Sequence, residues 1–379
     1  MAIHRAHLGP FSDLVEATAR ARPLFRSPAT VAETRRRVRD VLGFAVRDEQ
    51  PIEPRVERRW QADGVAGEEV SWSVGFGPRT HAFYLRPAGV ETRLPGIVAL
   101  HDHGNFKYCG REKIADGPLP PVAAVQAFRE TYYSGRAFAN HLARLGFAVL
   151  AHDVFLWGSR RFPIEAMPDT ERALADPVAA TLQLSPDDRE IARYHGAAYL
   201  HENLIEKYCT LLGTSFAAVI AHEDRVAFNY LRSRGDADAK RVAAIGFSGG
   251  GLRAAMLGAL VEAPLPRVVI GLMCTYETML DHGVAPHTWM LFPPGWGANG
   301  DLPDFAAAGA PAPLLVQYAL DDALFTPAGM KAADEHLAKQ YEGAGAPTAY
   351  RGEFYAGPHR FDSEMQESAF SWLASSLRN

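Results

Sequence analysis

The sequence predicts an α/β fold with a doubly wound, mostly parallel sheet, and two patterns of apolar residues carry this prediction. From residue 96 onward, continuous apolar runs alternate with helical stretches, at residues 96–100, 147–151, 241–245, 267–272 and 313–318. Such runs are typical of parallel strands that are buried on both faces. Before residue 96, apolar and polar residues alternate in three short segments, at 56–60, 69–74 and 80–85. This alternation predicts antiparallel strands at one end of the sheet.

Helical periodicity supports the same architecture and adds a segment in front of it. It is found between the predicted strands and after the last one, near residues 135–145, 218–232 and 364–377. From about residue 12 to 42, apolar residues also recur at helical spacing, although Pro23 and Pro28 interrupt the run. We therefore expect a helical N-terminal extension over residues 1–50 and one α/β domain over residues 51–379.

Three segments interrupt the alternation of strands and helices, at residues 105–134, 158–201 and 276–304. Each segment follows the carboxyl end of a predicted parallel strand. Ligands of open α/β sheets bind at that edge, and long insertions there are commonly functional. We therefore predict that the three insertions form walls or a lid over the functional site.

Composition and charge indicate a soluble globular protein that acts on small molecules. Of the 379 residues, 47% are hydrophobic and 22% are charged, as in ordinary globular domains. The formal net charge of -5 gives no basic field of the kind that binds nucleic acid or an anionic membrane. We expect a small-molecule substrate and neither a nucleic-acid nor a membrane partner, whereas the sequence makes no prediction of the oligomeric state.

The cysteines and the first residues predict a cytoplasmic location. Cys109, Cys209 and Cys274 are odd in number and widely spaced, a pattern that supports neither a disulfide framework nor a structural zinc site. Residues 1–7 lack the apolar core and the cleavage site of a secretory signal. No later stretch is apolar over the length of a membrane span.

One serine lies between glycines at the point where a predicted strand meets a predicted helix. Residues 246–250 read Gly-Phe-Ser-Gly-Gly, which matches the pattern G-x-S-x-G. A sharp turn between strand and helix forces the serine into a strained backbone conformation, and the flanking glycines tolerate the crowding because they lack a Cβ atom. We predict that Ser248 is a catalytic nucleophile at the carboxyl edge of the sheet.

A serine nucleophile needs a histidine base, and the histidine needs a carboxylate that fixes its tautomer. In folds with this turn the expected chain order is serine, acid, histidine. The predicted strand at 313–318 is followed by Asp321 and Asp322, and His359 lies in a Gly-Pro turn before the last helix. Neighbouring residues at a strand end point in opposite directions, so only one aspartate can face the histidine. We favour Asp322, with Asp321 as the alternative.

The negative charge that develops on a carbonyl oxygen during attack needs two hydrogen-bond donors. One predicted donor is the backbone N–H of Gly249, and the other comes from the loop after the first parallel strand, from His103 or Gly104, of which we favour His103. The run from His101 to His103 also has the residue types of a metal site. Further ligands and the motif H-E-x-x-H are missing from the sequence, so we expect no metal and no cofactor.

These residues together resemble the α/β-hydrolase superfamily, in particular its dienelactone-hydrolase and acetyl-xylan-esterase-like branch. The resemblance runs from residue 94 to the C-terminus. It depends on short motifs: His-Asp-His-Gly at 101–104, Gly-Arg-Glu-Lys at 110–113, Asp153 with Trp-Gly-Ser-Arg at 157–160, Gly-Phe-Ser-Gly-Gly-Gly at 246–251, Asp-Leu-Pro-Asp at 301–304, Asp-Ala-Leu-Phe at 322–325 and Gly-Pro-His-Arg-Phe at 357–361.

The resemblance implies an α/β-hydrolase fold and a serine esterase. It also assigns the acid to Asp322, three residues before Phe325. One departure is Ala319, where relatives usually have a glycine, and it leaves the choice between the two aspartates open. Members of the family act on acetyl esters, lactones and other carboxylic esters, so the fold does not name the substrate.

The sequence thus predicts a hydrolase that cleaves a short acyl ester or a lactone through an acyl-enzyme intermediate. Two alternatives keep the same fold. An acyltransferase or amidase would use the same serine, histidine and aspartate with a different acceptor or substrate. A non-catalytic binding protein would be expected to have lost one of the three residues, and all three are present.

Overall fold

A computed structural model of the chain describes residue 5 and residues 7–46, 48–181, 188–281 and 283–378. Two predicted insertions therefore extend in part beyond the described residues, one at 182–187 and one at residue 282. The prediction about a secretory signal also falls largely outside them, because it concerns residues 1–7.

Among the residues that the structure describes, one nine-stranded sheet forms the centre of the molecule and confirms the predicted architecture. Its nine strands are β1 (Ile52–Ala62), β2 (Val65–Ser73), β3 (Thr80–Pro87), β4 (Leu94–Leu100), β5 (Ala148–His152), β6 (Ala237–Phe247), β7 (Arg267–Ile270), β8 (Leu314–Ala319) and β9 (Tyr350–Tyr355). They are ordered β1-β2-β3-β5-β4-β6-β7-β8-β9 across the sheet. The pairs β1–β2, β2–β3 and β3–β5 are antiparallel, and all other neighbours are parallel.

Helices precede and cover this sheet. They are α1 (Leu14–Ala21), α2 (Val31–Leu42), α3 (Ala123–Tyr133), α4 (Phe138–Arg144), α5 (Asp169–Arg172), α6 (Ala175–Thr181), α7 (Arg189–Leu211), α8 (Phe216–Ser233), α9 (Gly249–Leu260), α10 (Tyr276–Met279), α11 (Asp304–Ala307), α12 (Pro327–Gly343) and α13 (Ser363–Ser376). Hydroxyl caps start several of them: the Ser215 side chain accepts from the Ala218 N–H at the start of α8, and Thr326 accepts from Gly329 at the start of α12.

The parallel strands are buried on both faces, as their continuous apolar sequences predict. In β4, Val98 and Leu100 belong to the core on one face of the sheet, whereas Ile97 and Ala99 belong to the core on the other. The first core includes residues of α2, α8, α9 and α12, and the second includes residues of α4 and α13. Because helices cover both faces, the functional edge of the sheet lies at the strand ends.

Several elements differ from the prediction. Strand β9 and helix α12 were not expected, and the predicted insertion at 158–201 contains most of the 23-residue helix α7. Strand β9 has only exposed and half-buried residues, Arg351 and Glu353 among them, which explains why it shows no apolar run. Within the described part of the chain, no single helix is long and apolar enough to span a membrane, and only the pair α7 and α8, bent by 85°, meets that test together.

Strand β1 forms one edge of the sheet and is mostly exposed. It carries Arg55, Arg58 and Arg59, with Pro54 near its beginning. Its pairing with β2 is interrupted twice by shifts in register, between Ile52 and Arg55 and between Val56 and Arg58. The edge is therefore charged and irregular.

Candidate active site

Ser248 lies at the turn between β6 and α9, in a backbone conformation that few residues adopt. Its φ is 54° and its ψ is -126°. The chain is tightly packed around it: a Cβ atom on Gly246 would lie 2.2 Å from the Gly250 carbonyl carbon, and one on Gly250 would lie 2.1 Å from the Leu100 oxygen. The Ser248 N–H donates to the Ile270 carbonyl at the end of β7, at 2.7 Å. The turn therefore presents the serine at the carboxyl edge of the sheet.

His359 lies in the loop between β9 and α13, with its ring against Phe247. The ring centroids of these two residues are 4.5 Å apart. The Nε2 atom of His359 is 2.9 Å from Ser248 Oγ, and its Nδ1 atom is 2.5 Å from Asp322 Oδ2. When Nδ1 carries the proton and donates to Asp322, Nε2 is free to accept from the serine hydroxyl.

The two neighbouring aspartates have different partners. Asp322 is buried, and its second carboxylate oxygen accepts from the Leu324 N–H at 2.8 Å, so that both oxygens are held. Asp321 is exposed, and its Oδ2 accepts from the Gly357 N–H at 2.7 Å while its own N–H donates to the Gly357 carbonyl. The structure therefore brings Asp322 to His359, and it uses Asp321 to hold the turn that carries the histidine.

The two predicted oxyanion donors are neighbours in space. A Cβ atom on Gly249 would lie 2.8 Å from the backbone nitrogen of His103. Neither residue donates a backbone hydrogen bond among those that the described residues make outside helices and strands. The alternative donor, Gly104, has a φ of 54° and comes one residue later in the loop. Of the two alternatives, the structure thus places His103 directly beside Gly249.

Buried polar contacts hold the loop after β4. The Asp102 carboxylate accepts from Lys113 Nζ at 3.1 Å and from the Tyr133 hydroxyl at 2.5 Å. Burial lowers the pKa of Lys113, and Asp102 only partly offsets this. His101 is buried, with its pKa well below the usual value, chiefly because burial disfavours the imidazolium. Across the described ranges, no group of three potential ligands is arranged to hold a metal ion.

A cavity of about 430 Å³ opens above Ser248 and His359. All three predicted insertions contribute to its wall. From the insertions and from α7, the lining residues are Asn105, Phe128, Tyr132, Tyr199, Leu200, Glu202, Asn203, Ala285, Pro286, His287, Thr288, Trp289 and Leu291. Aromatic and aliphatic side chains make up most of this wall, as is usual for small-molecule sites.

Only one of the tryptophans near the insertions reaches the cavity. Trp289 lines it and is 43% exposed, with its indole N–H donating to Asn203 Oδ1 at 2.6 Å. Trp157 and Trp296 are fully buried, and they stack on Phe216 and Phe305 respectively. These two side chains therefore belong to the packing between insertions and core.

Other residues of the sequence motifs form hydrogen bonds that stabilise the insertions. Asp153 accepts from the Arg111 and Ser159 backbone N–H groups, both at 2.8 Å, and it also pairs with the Arg111 guanidinium. Asp301 accepts from the Tyr276 and Leu302 N–H groups at 2.8 and 2.7 Å. Burial raises the pKa of Asp301 to about 6 in spite of these hydrogen bonds.

One residue at the cavity was missed by the sequence analysis. Glu202, in α7, is buried and forms hydrogen bonds with His103 of the loop after β4 and with Thr288 and Trp289 of the third insertion. No motif surrounds Glu202 in the sequence, and it lies 99 positions after His103. Only the three-dimensional arrangement identifies it.

Comparisons with known proteins identify the fold. YtaP of Bacillus subtilis (strain 168), a protein assigned as a hydrolase, is 22% identical over 343 residues, which cover 90% of this chain and 98% of YtaP. A Bacteroides fragilis NCTC 9343 protein assigned as an acetyl xylan esterase has a TM-score of 0.64 at 16% identity, over 92% of this chain and 82% of its own. The glucuronoyl esterase of Solibacter usitatus has a TM-score of 0.58 at 15% identity, over 90% and 91% of the two chains.

No protein-family model matches the chain. The structural neighbours nevertheless confirm the α/β-hydrolase fold that the sequence motifs imply, and the sheet includes the predicted antiparallel strands. At these levels of identity the likeness extends to the fold, and the reaction has to be argued from the site itself.

Proposed function

We propose that the protein is a carboxylic ester hydrolase that uses Ser248 as nucleophile, His359 as general base and acid, and Asp322 as the carboxylate that orients the histidine. One observation carries the proposal: a continuous chain of hydrogen bonds runs from Ser248 Oγ through both nitrogens of His359 to Asp322, next to a cavity. The three residues come from separate loops at one edge of the sheet, as they do in enzymes with this arrangement.

In the first half of the reaction, Ser248 Oγ attacks the ester carbonyl carbon while its proton moves to His359 Nε2. The imidazolium that forms is stabilised by Asp322, which stays ionised. The backbone N–H groups of His103 and Gly249 donate to the carbonyl oxygen as it becomes negative. Collapse of the tetrahedral intermediate breaks the bond to the alcohol oxygen, which takes the proton from His359 and leaves an acyl-serine.

In the second half, water replaces the alcohol. His359 Nε2 accepts a proton from the water as its oxygen attacks the acyl carbon, and the same two N–H groups stabilise the second tetrahedral intermediate. The bond to Ser248 Oγ then breaks, and the serine recovers its proton from His359. The products are a carboxylic acid and the free enzyme.

The substrate class rests on the cavity and on similar proteins. A cavity of about 430 Å³ fits a small molecule, and the structural neighbours named as esterases support an ester as the reacting group. We expect a short acyl ester or a lactone. The three cysteines are free and buried, which supports a reducing, cytoplasmic setting.

The test compares the protein with its Ser248→Ala variant on activated esters of increasing acyl length. We expect kcat to fall by more than about 10⁴-fold, because the nucleophile is removed and the other groups act only with it. A serine-directed phosphonate should label the unchanged protein and fail to label the variant. Equal activity of the two proteins, with the same thermal unfolding midpoint, would sink the proposal.

A further inference from the structure

Glu202 is a buried carboxylate beside the cavity, and it takes no part in the steps described above. The residue lies in α7 and is 5% exposed. Buried carboxylates are costly to ionise unless they are paired and hydrogen-bonded. The hydrogen-bond partners of Glu202 therefore indicate its role.

The two oxygens of Glu202 bind different parts of the chain. Oε2 accepts from His103 Nε2 at 2.9 Å and from Lys107 Nζ at 2.6 Å, both in the loop after β4. Oε1 accepts from the Thr288 hydroxyl at 2.5 Å and from the Trp289 N–H at 3.0 Å, both in the third insertion. The Glu202 side chain thus connects α7 to the loop after β4 and to the third insertion.

The same contacts determine the charges of Glu202 and His103. Burial by itself would raise the pKa of Glu202, but Lys107 and His103 outweigh burial and hold this pKa well below its usual value. Burial also lowers the pKa of His103, more than the neighbouring carboxylate raises it. Near neutral pH, Glu202 is therefore an anion and His103 is neutral.

The tautomer of His103 follows from its second contact. Its Nδ1 accepts from the Asn105 backbone N–H at 3.1 Å, so the ring proton is on Nε2 and is donated to Glu202. The carbonyl oxygen of His103 accepts from Trp157 Nε1 at 3.2 Å and from Lys113 Nζ at 3.3 Å. Both the side chain and the carbonyl of His103 are therefore fixed, and its backbone N–H is left beside Gly249.

We propose that Glu202 is a positioning residue of the oxyanion hole, which acts by holding the ring of His103 and through it the peptide N–H. This inference rests on the proposed function, because the His103 backbone N–H contributes to catalysis only if an oxyanion forms. Oxyanion donors act by being correctly oriented before the charge develops, so a small rotation of the peptide weakens transition-state binding more than substrate binding.

The main test is Glu202→Gln, with Glu206→Gln as the matched control. Glutamine keeps the size and the acceptor for Thr288 and Trp289, but it removes the charge that His103 and Lys107 share. We expect kcat to fall about 10- to 100-fold with KM changed less than about threefold, since one oxyanion donor is misplaced rather than lost. Glu206 lies one turn later in α7 and is equally buried. Its partners among the described residues are the Phe216 N–H and Thr210, which do not line the cavity, so its variant should keep kcat.

A transition-state analogue separates positioning from general damage. A trifluoromethyl ketone forms a tetrahedral oxyanion with Ser248, and its inhibition constant should rise in Glu202→Gln by the same factor by which kcat/KM falls. A ground-state amide inhibitor should bind with unchanged affinity. Equal weakening of both inhibitors would overturn the proposal, and so would wild-type kcat in the folded variant.

A double-mutant cycle with His103→Leu tests whether the effect passes through the histidine. In that background, Glu202→Gln should cost less than about threefold in kcat, because the ring that Glu202 holds is already absent. Multiplication of the two losses would overturn the proposal. Its failure is distinguishable from failure of the proposed function, which would appear as turnover by the Ser248→Ala variant.

Discussion

The strand ends and the insertions contribute to the site in different ways. Ser248, Asp322 and His359 follow β6, β8 and β9, so a hydrogen-bonded sheet fixes the distances between their backbones. The cavity wall comes from segments far apart in sequence, and buried polar side chains such as Glu202 join them. The difference indicates that the sheet sets the positions of the three proposed catalytic residues, whereas side-chain contacts between insertions set the cavity wall and, through Glu202, the proposed oxyanion donor.

Apart from Ser248→Ala, the largest expected effect concerns the aspartates after β8. In Asp322→Asn, the amide would donate toward His359 Nδ1 and favour the wrong tautomer, so we expect kcat to fall about 10³- to 10⁴-fold. In Asp321→Asn, the amide oxygen can still accept from Gly357, and kcat should stay within about fivefold. Steady-state kinetics on one activated ester measure both.

This pair of variants tests directly whether the end of β8 determines which aspartate serves His359. The two residues are adjacent and have the same side chain, so any difference between them comes from where the end of β8 directs each one. A larger loss in Asp321→Asn than in Asp322→Asn would show that the histidine uses the other acid during turnover.

A smaller effect is expected at the cavity wall. Trp289→Ala removes a ring that lines the cavity and whose hydrogen bond goes to Asn203, so it should weaken the binding of substrate and of transition state equally. We expect KM for an ester with an aromatic alcohol to rise about 3- to 10-fold, with kcat changed less than about twofold. Trp289→Phe keeps a ring, so its KM should lie between that of the unchanged protein and that of Trp289→Ala. A fall in kcat at unchanged KM would contradict the separation of roles.

The remaining prediction concerns stability in the third insertion. The pKa of Asp301 is raised to about 6, so ionisation of this buried carboxyl costs stability as the pH rises from its unfolded value of 3.8 through 6. Asparagine cannot ionise and can still accept from Tyr276 and Leu302. We expect Asp301→Asn to be more stable by about 1–3 kcal/mol at pH 8, with the difference vanishing near pH 4.

Thermal unfolding of both proteins across that pH range measures this effect. A matched control is Asp153→Asn, which removes the charge that Arg111 pairs with and should lower the unfolding midpoint at pH 8. A midpoint for Asp301→Asn below that of the unchanged protein at pH 8 would show that the ionised carboxylate stabilises the insertion.

The sequence reveals the buried strands because each must be apolar on both faces. It does not reveal β9, whose Arg351 and Glu353 interrupt the apolar pattern, since an outer strand is only half covered. It also places most of α7 inside an insertion, because a helix that packs on several sides has no single apolar stripe. Strand periodicity thus predicts the central sheet better than its edges and additions.

The functional site, like the fold, is predictable from the sequence only where a local pattern marks the residue. The turn around Ser248 and the Gly-Pro turn before His359 are local signals, and they predict positions that the structure brings within hydrogen-bond distance. The choice between Asp321 and Asp322 depends on where a loop directs each side chain, which the sequence leaves open. Glu202 has no local signal at all, because its role comes from contacts across 99 positions of chain.

The exposed strand β1 has a consequence for molecules that meet in solution. An unpaired strand edge can add a strand from another chain, and such pairing leads to aggregation. Two register shifts and Pro54 break the regular series of hydrogen-bonding groups along β1, and charged side chains such as Arg58 and Arg59 line this edge. The sheet therefore has one end at which growth by strand addition is disfavoured.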